Sequence, residues 1–321
     1  MDARLRTYAL VALAAVGTAG LVVGLVAFTR TSPRAAAKTS PPTSGRAPAL
    51  VLDLGLRTDP EAVALRRANR LYSAGRRRAA QHTFTRYRSV EAQVGAAVSA
   101  WPNGTVARLD ELAARHPSSG VVLLHLGLAR VSSGEGNAAE AAWRKVLARD
   151  PDSEAAVQAE SLLHPRFAPG RPPFVASFGV PAEVARLAPA GQLAALARAA
   201  RSRDVEAKLL YGSALQRLGR PVSAERQFAT AASLAPGDPE AQTAAAVGLF
   251  SKARPELAFS RLGPLAPRFP RSQTVRFHLG ELLLWIGQLD KARQELRLAR
   301  REGPSTPLGR TAAEFLDKLP G

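Results

Sequence analysis

The first pattern along the chain is an absence: from Tyr8 to Thr29 no residue carries a charge. A helix needs about 20 mostly apolar residues to cross a bilayer core, so residues 8–29 are expected to form an uncleaved anchor. The apolar core of a cleaved signal peptide is shorter, roughly 7–15 residues. Residues 30–58 follow, Ser/Thr/Pro-rich as far as Pro48, and read as a flexible tether. From residue 59 onward apolar residues recur at three- and four-residue spacings, the period of an amphipathic helix. That periodicity stops at residues 164–189, where Phe167-Ala168-Pro169-Gly170-Arg171-Pro172-Pro173-Phe174 excludes continuous helix. The expected organisation is therefore a basic amino end (1–7), an anchor (8–29), a tether (30–58), a degenerate helical region (59–163), an interruption (164–189) and a regular helical array (190–321).

The array repeats with a period of 34 residues. Gly212, Ala246 and Gly280 fall in one column, and the same register aligns Leu215, Leu249 and Leu283, then Gly219, Ala253 and Gly287. Further columns hold Ala224, Ala258 and Ala292, then Phe228, Leu262 and Leu296, and finally Pro236, Pro270 and Pro304. Small residues let two helices approach closely, larger apolar residues supply the buried stripe, and proline ends the unit. Asp238-Pro239-Glu240 has the form of a helix start, and Ser272 that of the next cap. Gly120 to Asp152 fits a further unit in a shifted register, with Leu126-Gly127, Gly134, Ala139, Trp143, Val146 and Pro151 in corresponding places. Ala68, Leu71, Gly75, Ala80 and Phe84 suggest a degenerate repeat, Ser89 to His116 a shortened pair, and Pro307 to Leu319 a capping helix. Gly263-Pro264 and Pro267 predict a short or kinked helix in the third unit.

This order of small, bulky and proline positions resembles the tetratricopeptide repeat family over Val205 to Pro304. The resemblance implies an all-α solenoid of helical hairpins, here preceded by a single transmembrane helix. It also implies that the first helix of each hairpin lines a concave groove for a protein or peptide partner. The matching positions are Glu206, Leu210, Ser213, Gln216 and Arg217; then Glu240, Thr243, Val247 and Phe250; then Phe277, His278, Glu281, Leu284 and Trp285. Family members that grip a peptide carboxylate carry Lys and Asn where this chain has Leu209, Ser213, Thr243, Val247, Phe277 and Glu281, so that mode of binding is not expected. Phe250, Phe277 and Trp285 fit packing between repeats equally well.

The formal charge of +18 comes almost entirely from arginine, within a composition rich in Ala, Gly, Pro, Leu and Val. A GC-rich genome produces that bias without any polyanion, so nucleic acid is not an expected partner. One dense set, Arg66, Arg67, Arg70, Arg76, Arg77, Arg78, Arg86 and Arg88, interleaved with Tyr72 and Tyr87, offers an alternative anion-binding surface for an acidic polymer or lipid headgroups. The carboxyl-terminal set Arg293, Arg297, Arg300 and Arg301 is diluted by Glu295 and Glu302. There is no cysteine, which removes disulfide and thiolate chemistry. The five histidines lack metal-ligand spacing, and no phosphate loop, zinc helix or nucleophile elbow occurs. A binding scaffold without cofactor is expected, not an enzyme. Lys and Arg counts flanking residues 8–29 point the carboxyl end inward, whereas the short basic amino end and the tether point it outward. We take the second as the expectation, a single-pass protein with an extracytoplasmic body.

Overall fold

A computed structural model describes residues 45–319, and among these there is no strand. Residues 8–29 lie outside them, and no helix among the described residues is long and apolar enough to cross a membrane. The chain divides at residues 165 and 166 into two compact units.

The N-terminal unit begins with an extended segment and continues through three hairpins: α1 (Pro60–Ser73) with α2 (Arg77–Phe84), α3 (Val90–Ser99) with α4 (Thr105–Arg115), and α5 (Gly120–Ser132) with α6 (Gly136–Arg149). A single helix, α7 (Glu154–Leu163), closes it. Local chemistry sets the starts: Asp59 accepts from the Ala62 N–H ahead of Pro60, and Ser89 and Ser153 cap α3 and α7 in the same way. The Asp150 carboxylate accepts from the Gly120 N–H at 3.0 Å and so ties the end of α6 to the start of α5.

The C-terminal unit also begins with an extended segment, followed by the short α8 (Ala182–Ala185) and α9 (Pro189–Ala199). Three hairpins follow: α10 (Val205–Arg217) with α11 (Pro221–Leu234), α12 (Pro239–Gly248) with α13 (Glu256–Leu262) and α14 (Leu265–Arg268), and α15 (Gln273–Trp285) with α16 (Leu289–Glu302). The closing helix is α17 (Pro307–Lys318). Asp238 and Ser272 cap α12 and α15, and the helix expected after Pro255 is divided into α13 and α14 at Gly263-Pro264.

The repeat columns are packing columns. A Cβ on Gly127 would sit 2.3 Å from the Trp143 ring, one on Gly212 2.4 Å from Phe228, and one on Gly280 2.8 Å from Leu296. In each case the bulky residue lies 16 positions later, on the second helix of the same hairpin. Glycine is required there because the ring or branched side chain occupies the volume a larger residue would need. Ala224, Ala258 and Ala292 are fully buried for the same reason.

One expected boundary is corrected. The described part of the tether, residues 45–58, is not free chain, because Leu50 and Leu54 are buried in the apolar core of the N-terminal unit. Alternation of Leu50, Leu52 and Leu54 gives an extended segment one apolar edge, which outweighs the Ser/Thr/Pro character upstream.

Candidate peptide-binding groove

Residues 168–180, part of the segment 164–189 expected only to interrupt the array, instead fill its groove. This strap runs in extended form across the first helices of all three hairpins in the C-terminal unit. The Phe174 N–H donates to Gln216 Oε1 on α10 at 2.8 Å. The Val175 N–H donates to His278 Nε2 on α15 at 3.0 Å. The Ser177 N–H and hydroxyl both donate to the Glu240 carboxylate on α12. At the other end Lys252 donates from Nζ to the Ala168 carbonyl at 2.6 Å. An extended backbone cannot satisfy its own N–H groups, so side chains from three hairpins do it instead.

Apolar contacts seat the same segment. The Phe174 ring stacks on His278 with centroids 5.0 Å apart and meets Phe228 edge-on at 5.3 Å. Between strap and helices there remains a cavity of about 10 Å³, lined in part by Val175, Phe178, Leu210, Ser213 and Arg217, hardly room for one water. The strap occupies this part of the groove, and another peptide enters there only by displacing it.

His278 is held as a specific tautomer. Its Nδ1 lies 2.9 Å from the Thr274 carbonyl one turn back, so that nitrogen carries the proton and Nε2 is the acceptor for Val175. Burial pushes its pKa down to about 4. Arg217 is pushed down to about 10 by burial, and burial raises Glu240 above the usual carboxylate range against the lowering effect of the Ser177 hydrogen bonds. Glu281 is 1% exposed, neither carboxyl oxygen accepts a hydrogen bond, and burial holds its pKa well above the ordinary value. It sits on the α15 stripe between His278, which receives Val175, and Trp285, whose ring edge faces Gly170. Glu281 thus lies on the stretch of helix spanned by strap residues 170–175.

The N-terminal unit contains the same device. The Val51 N–H donates to His125 Nε2 at 3.0 Å, and His125 Nδ1 lies 2.6 Å from the Val121 carbonyl, again one turn back. Burial pushes His125 to about 4 as well. The Tyr72 hydroxyl donates to the Pro48 carbonyl and the Gly45 N–H to the Ser132 carbonyl. The two straps share a sequence: Gly45-Arg46-Ala47-Pro48, then Leu50-Val51-x-x-Leu54-Gly55-Leu56, against Gly170-Arg171-Pro172-Pro173, then Phe174-Val175-x-x-Phe178-Gly179-Val180. Gly45 and Gly170 both take a positive φ, 87° and 86°, which favours glycine at that bend. His125-Leu126-Gly127 and His278-Leu279-Gly280 are the matching anchors. The sequence reading missed both straps, although this recurrence was visible in it.

Of the groove residues expected from sequence, Gln216, Glu240 and His278 hold the strap directly. Leu210, Ser213 and Arg217 line the small cavity beside it. Glu281 and Trp285 lie beneath it. Thr243, Val247 and Phe250 are buried in the core, Phe250 meeting Trp285 edge-on at 6.0 Å. Phe277 is a packing residue, stacked on Phe315 of the closing helix at 5.8 Å. Glu206 is exposed at the start of α10, away from these contacts. Lys252, buried and 5.7 Å from the Trp285 ring, was not among the expected residues.

The arginine set divides by role. Arg66 donates to the Arg57 and Gly55 carbonyls and so clamps the end of the first strap. Arg77 donates to the Trp101 carbonyl at 3.2 Å. Arg67, Arg70, Arg76, Arg78, Arg86 and Arg88 are exposed. Arg76 and Arg78 lie at one end of α2 and Arg86 and Arg88 beyond the other, separated by roughly 12 Å of helix.

No family model matches the chain, and no curated protein matches it. Among solved structures it is similar to a tetratricopeptide repeat protein from Parabacteroides merdae, at 12% identity over 81% of this chain and 98% of that one, with a TM-score of 0.35. It is also similar to the TPR2AB domain of yeast Sti1 in a pHSP90 complex (12% identity, 81% and 96% coverage, TM-score 0.30) and to yeast Tom70 (14% identity, 86% and 53% coverage, TM-score 0.34). Superpositions this loose carry no argument about function. The description of the described residues as an all-α, tetratricopeptide-like stack of helical hairpins rests on the chain's own repeat columns and their packing.

Proposed function

We propose that the chain is a protein-binding scaffold whose grooves hold extended polypeptide. The observation that carries this reading is the set of three side chains, Gln216, Glu240 and His278, each from a different hairpin and each receiving a backbone N–H of one extended segment. Contacts to backbone serve any sequence in extended form, while the sites around Phe174 and Phe178 select apolar side chains. We read the protein as a binder and not a catalyst. We further propose that residues 8–29, uncharged throughout, anchor it to a membrane with the body outside the cytoplasm.

The test of binding is a fluorescent peptide spanning residues 168–180, titrated into the full chain carrying Ser177→Pro. That change deletes a strap N–H and the hydroxyl bonded to Glu240, so the tethered copy is loosened at an exposed position. Saturable binding, lost again in Gln216→Ala or Glu240→Ala, is the expected result. Failure of the peptide to bind under conditions where the variant remains folded refutes the groove reading. For orientation, a reporter fused after Gly321 should be active only outside the cytoplasm; exclusively cytoplasmic activity overturns that part.

A further inference from the structure

The two grooves hold the same kind of strap on the same histidine, yet they differ one turn further along the helix. Counting from the shared His-Leu-Gly, Glu281 of the C-terminal unit stands where the N-terminal unit has Leu128. Leucine is the residue this place needs for packing. A carboxyl buried without a hydrogen-bond partner lowers stability, because nothing replaces the water it lost. The C-terminal unit nevertheless keeps Glu281 buried under its strap, with neither oxygen bonded. Groups that destabilise a resting fold in this way collect at sites that do something else.

We propose that the groove of the C-terminal unit takes, in place of its own strap, an extended segment of a partner protein that bears a lysine or arginine opposite Glu281. This rests on the groove reading above and adds the chemistry of the partner. The strap shows the rest of the pattern: an aromatic or aliphatic residue followed by valine, whose N–H reaches His278, then a second bulky apolar residue three positions on. A cation arriving with the partner converts the unbonded carboxyl into a charge-assisted hydrogen bond, which the resident strap does not make with it. The partner must also overcome the strap's intramolecular advantage, equivalent to a millimolar-range local concentration for a short connection. The unbonded Glu281 favours exchange because it leaves the resident complex incomplete.

The experiment uses the full chain with Ser177→Pro, and in parallel with Phe174→Ala, so that a folding failure in one leaves the other informative. Four peptides covering residues 168–180 serve as probes: one neutral, with Arg171→Ala, and three differing from it only by a single arginine at position 171, 172 or 173. A peptide with arginine at 172 or 173 should bind tenfold or more tightly than both the neutral one and the native-sequence peptide carrying Arg171, and Glu281→Leu should abolish that difference while raising the melting temperature. If the neutral peptide binds but arginine at neither 172 nor 173 improves it more than threefold, or if the gain survives Glu281→Leu, the proposal fails and the groove reading stands. If none of the peptides binds, both fail together.

Discussion

The two units present one design with two different floors. Each has a strap opening on a positive-φ glycine, a valine N–H received by a buried histidine, three hairpins and a closing helix. In each, the second hairpin opens with a helix of only 10 residues, α3 or α12. Under the N-terminal strap the stripe beyond the histidine continues with leucine; under the C-terminal strap it continues with Glu281, and Gln216, Glu240 and Lys252 add polar contacts. A fold of this kind is held by the columns between helices, such as Gly127 on Trp143 or Gly212 on Phe228. The groove floor is therefore free to change without loss of the hairpin stack.

The largest expected effects lie in the strap anchors themselves. Phe174 is fully buried between His278 and Phe228, and Leu50 is its counterpart. Phe174→Ala should cost about 3–5 kcal/mol in the C-terminal unit, and Leu50→Ala about 2–5 kcal/mol in the N-terminal unit. Peptide-resolved hydrogen exchange in increasing urea measures each unit separately. A loss confined to the mutated unit sharpens the comparison, and a negligible loss in either shows that its strap is a passive covering. Next come the histidines: His125→Ala and His278→Ala each strand a strap N–H, for about 1–3 kcal/mol apiece. Equal losses are expected; if only one unit responds, the recurrence is one of sequence and not of mechanism.

The hairpins were legible because their signal is local and repeated. Gly212, Ala246 and Gly280 with their partners 16 residues later give helix pairing directly, and Ser272, Asp238 and Gly263-Pro264 gave starts and breaks that the structure reproduces. The straps were not legible in this way. An extended segment has few residues, and its partners are distant in sequence: Val175 and His278 are 103 positions apart. Pro172-Pro173 announces only that no helix forms. Phe250 and Phe277 fit groove and packing equally well in the sequence, and Thr243 and Val247 read as groove positions; the structure buries all four, and periodicity alone does not say which neighbour covers a turn of helix.

Acid should separate the units. Folded His125 and His278 titrate near 4 against an ordinary 6.5, so between those values the unfolded chain takes up protons that the folded one does not. The stability each contributes is whole above pH 6.5 and is lost as pH falls towards 4. Glu281 and Glu240 shift upward, the opposite case: the folded chain keeps protons that the unfolded chain releases above about 4.5, so their contribution is lost as pH rises through the folded values. On going from pH 6.5 to 4.5 the N-terminal unit loses stability through His125, while in the C-terminal unit the two carboxyls offset His278. Urea midpoints by hydrogen exchange, corrected for the intrinsic rate, should therefore fall more steeply with acid in the N-terminal unit. Glu281→Leu should make the C-terminal unit more acid-sensitive; parallel slopes before and after the change would remove Glu281 from the account.

The smallest effect concerns the basic surface that belongs to the N-terminal unit alone. Arg67, Arg70, Arg78 and Arg88 are exposed, the first three towards the α1–α2 turn and Arg88 beyond the far end of α2. Changing all four to Gln should shift the urea midpoint by no more than surface substitutions usually do, about 0.5 kcal/mol each in either direction. Arg66 is the internal control, because it clamps the strap end through the Gly55 and Arg57 carbonyls. Arg66→Gln alone should cost more than any one of the four. The same variants decide the anion alternative. If this surface binds an acidic polymer, retention of the described body on a polyanion column should depend steeply on salt, and the fourfold change should flatten that dependence. If the arginines only solvate the first hairpin, elution shifts modestly with net charge, and an equal number of neutralised arginines in the set Arg293, Arg297, Arg300 and Arg301 produces the same shift. Equal shifts are the expected outcome, because Arg66 and Arg77 are engaged with backbone carbonyls and Arg88 lies beyond the far end of α2.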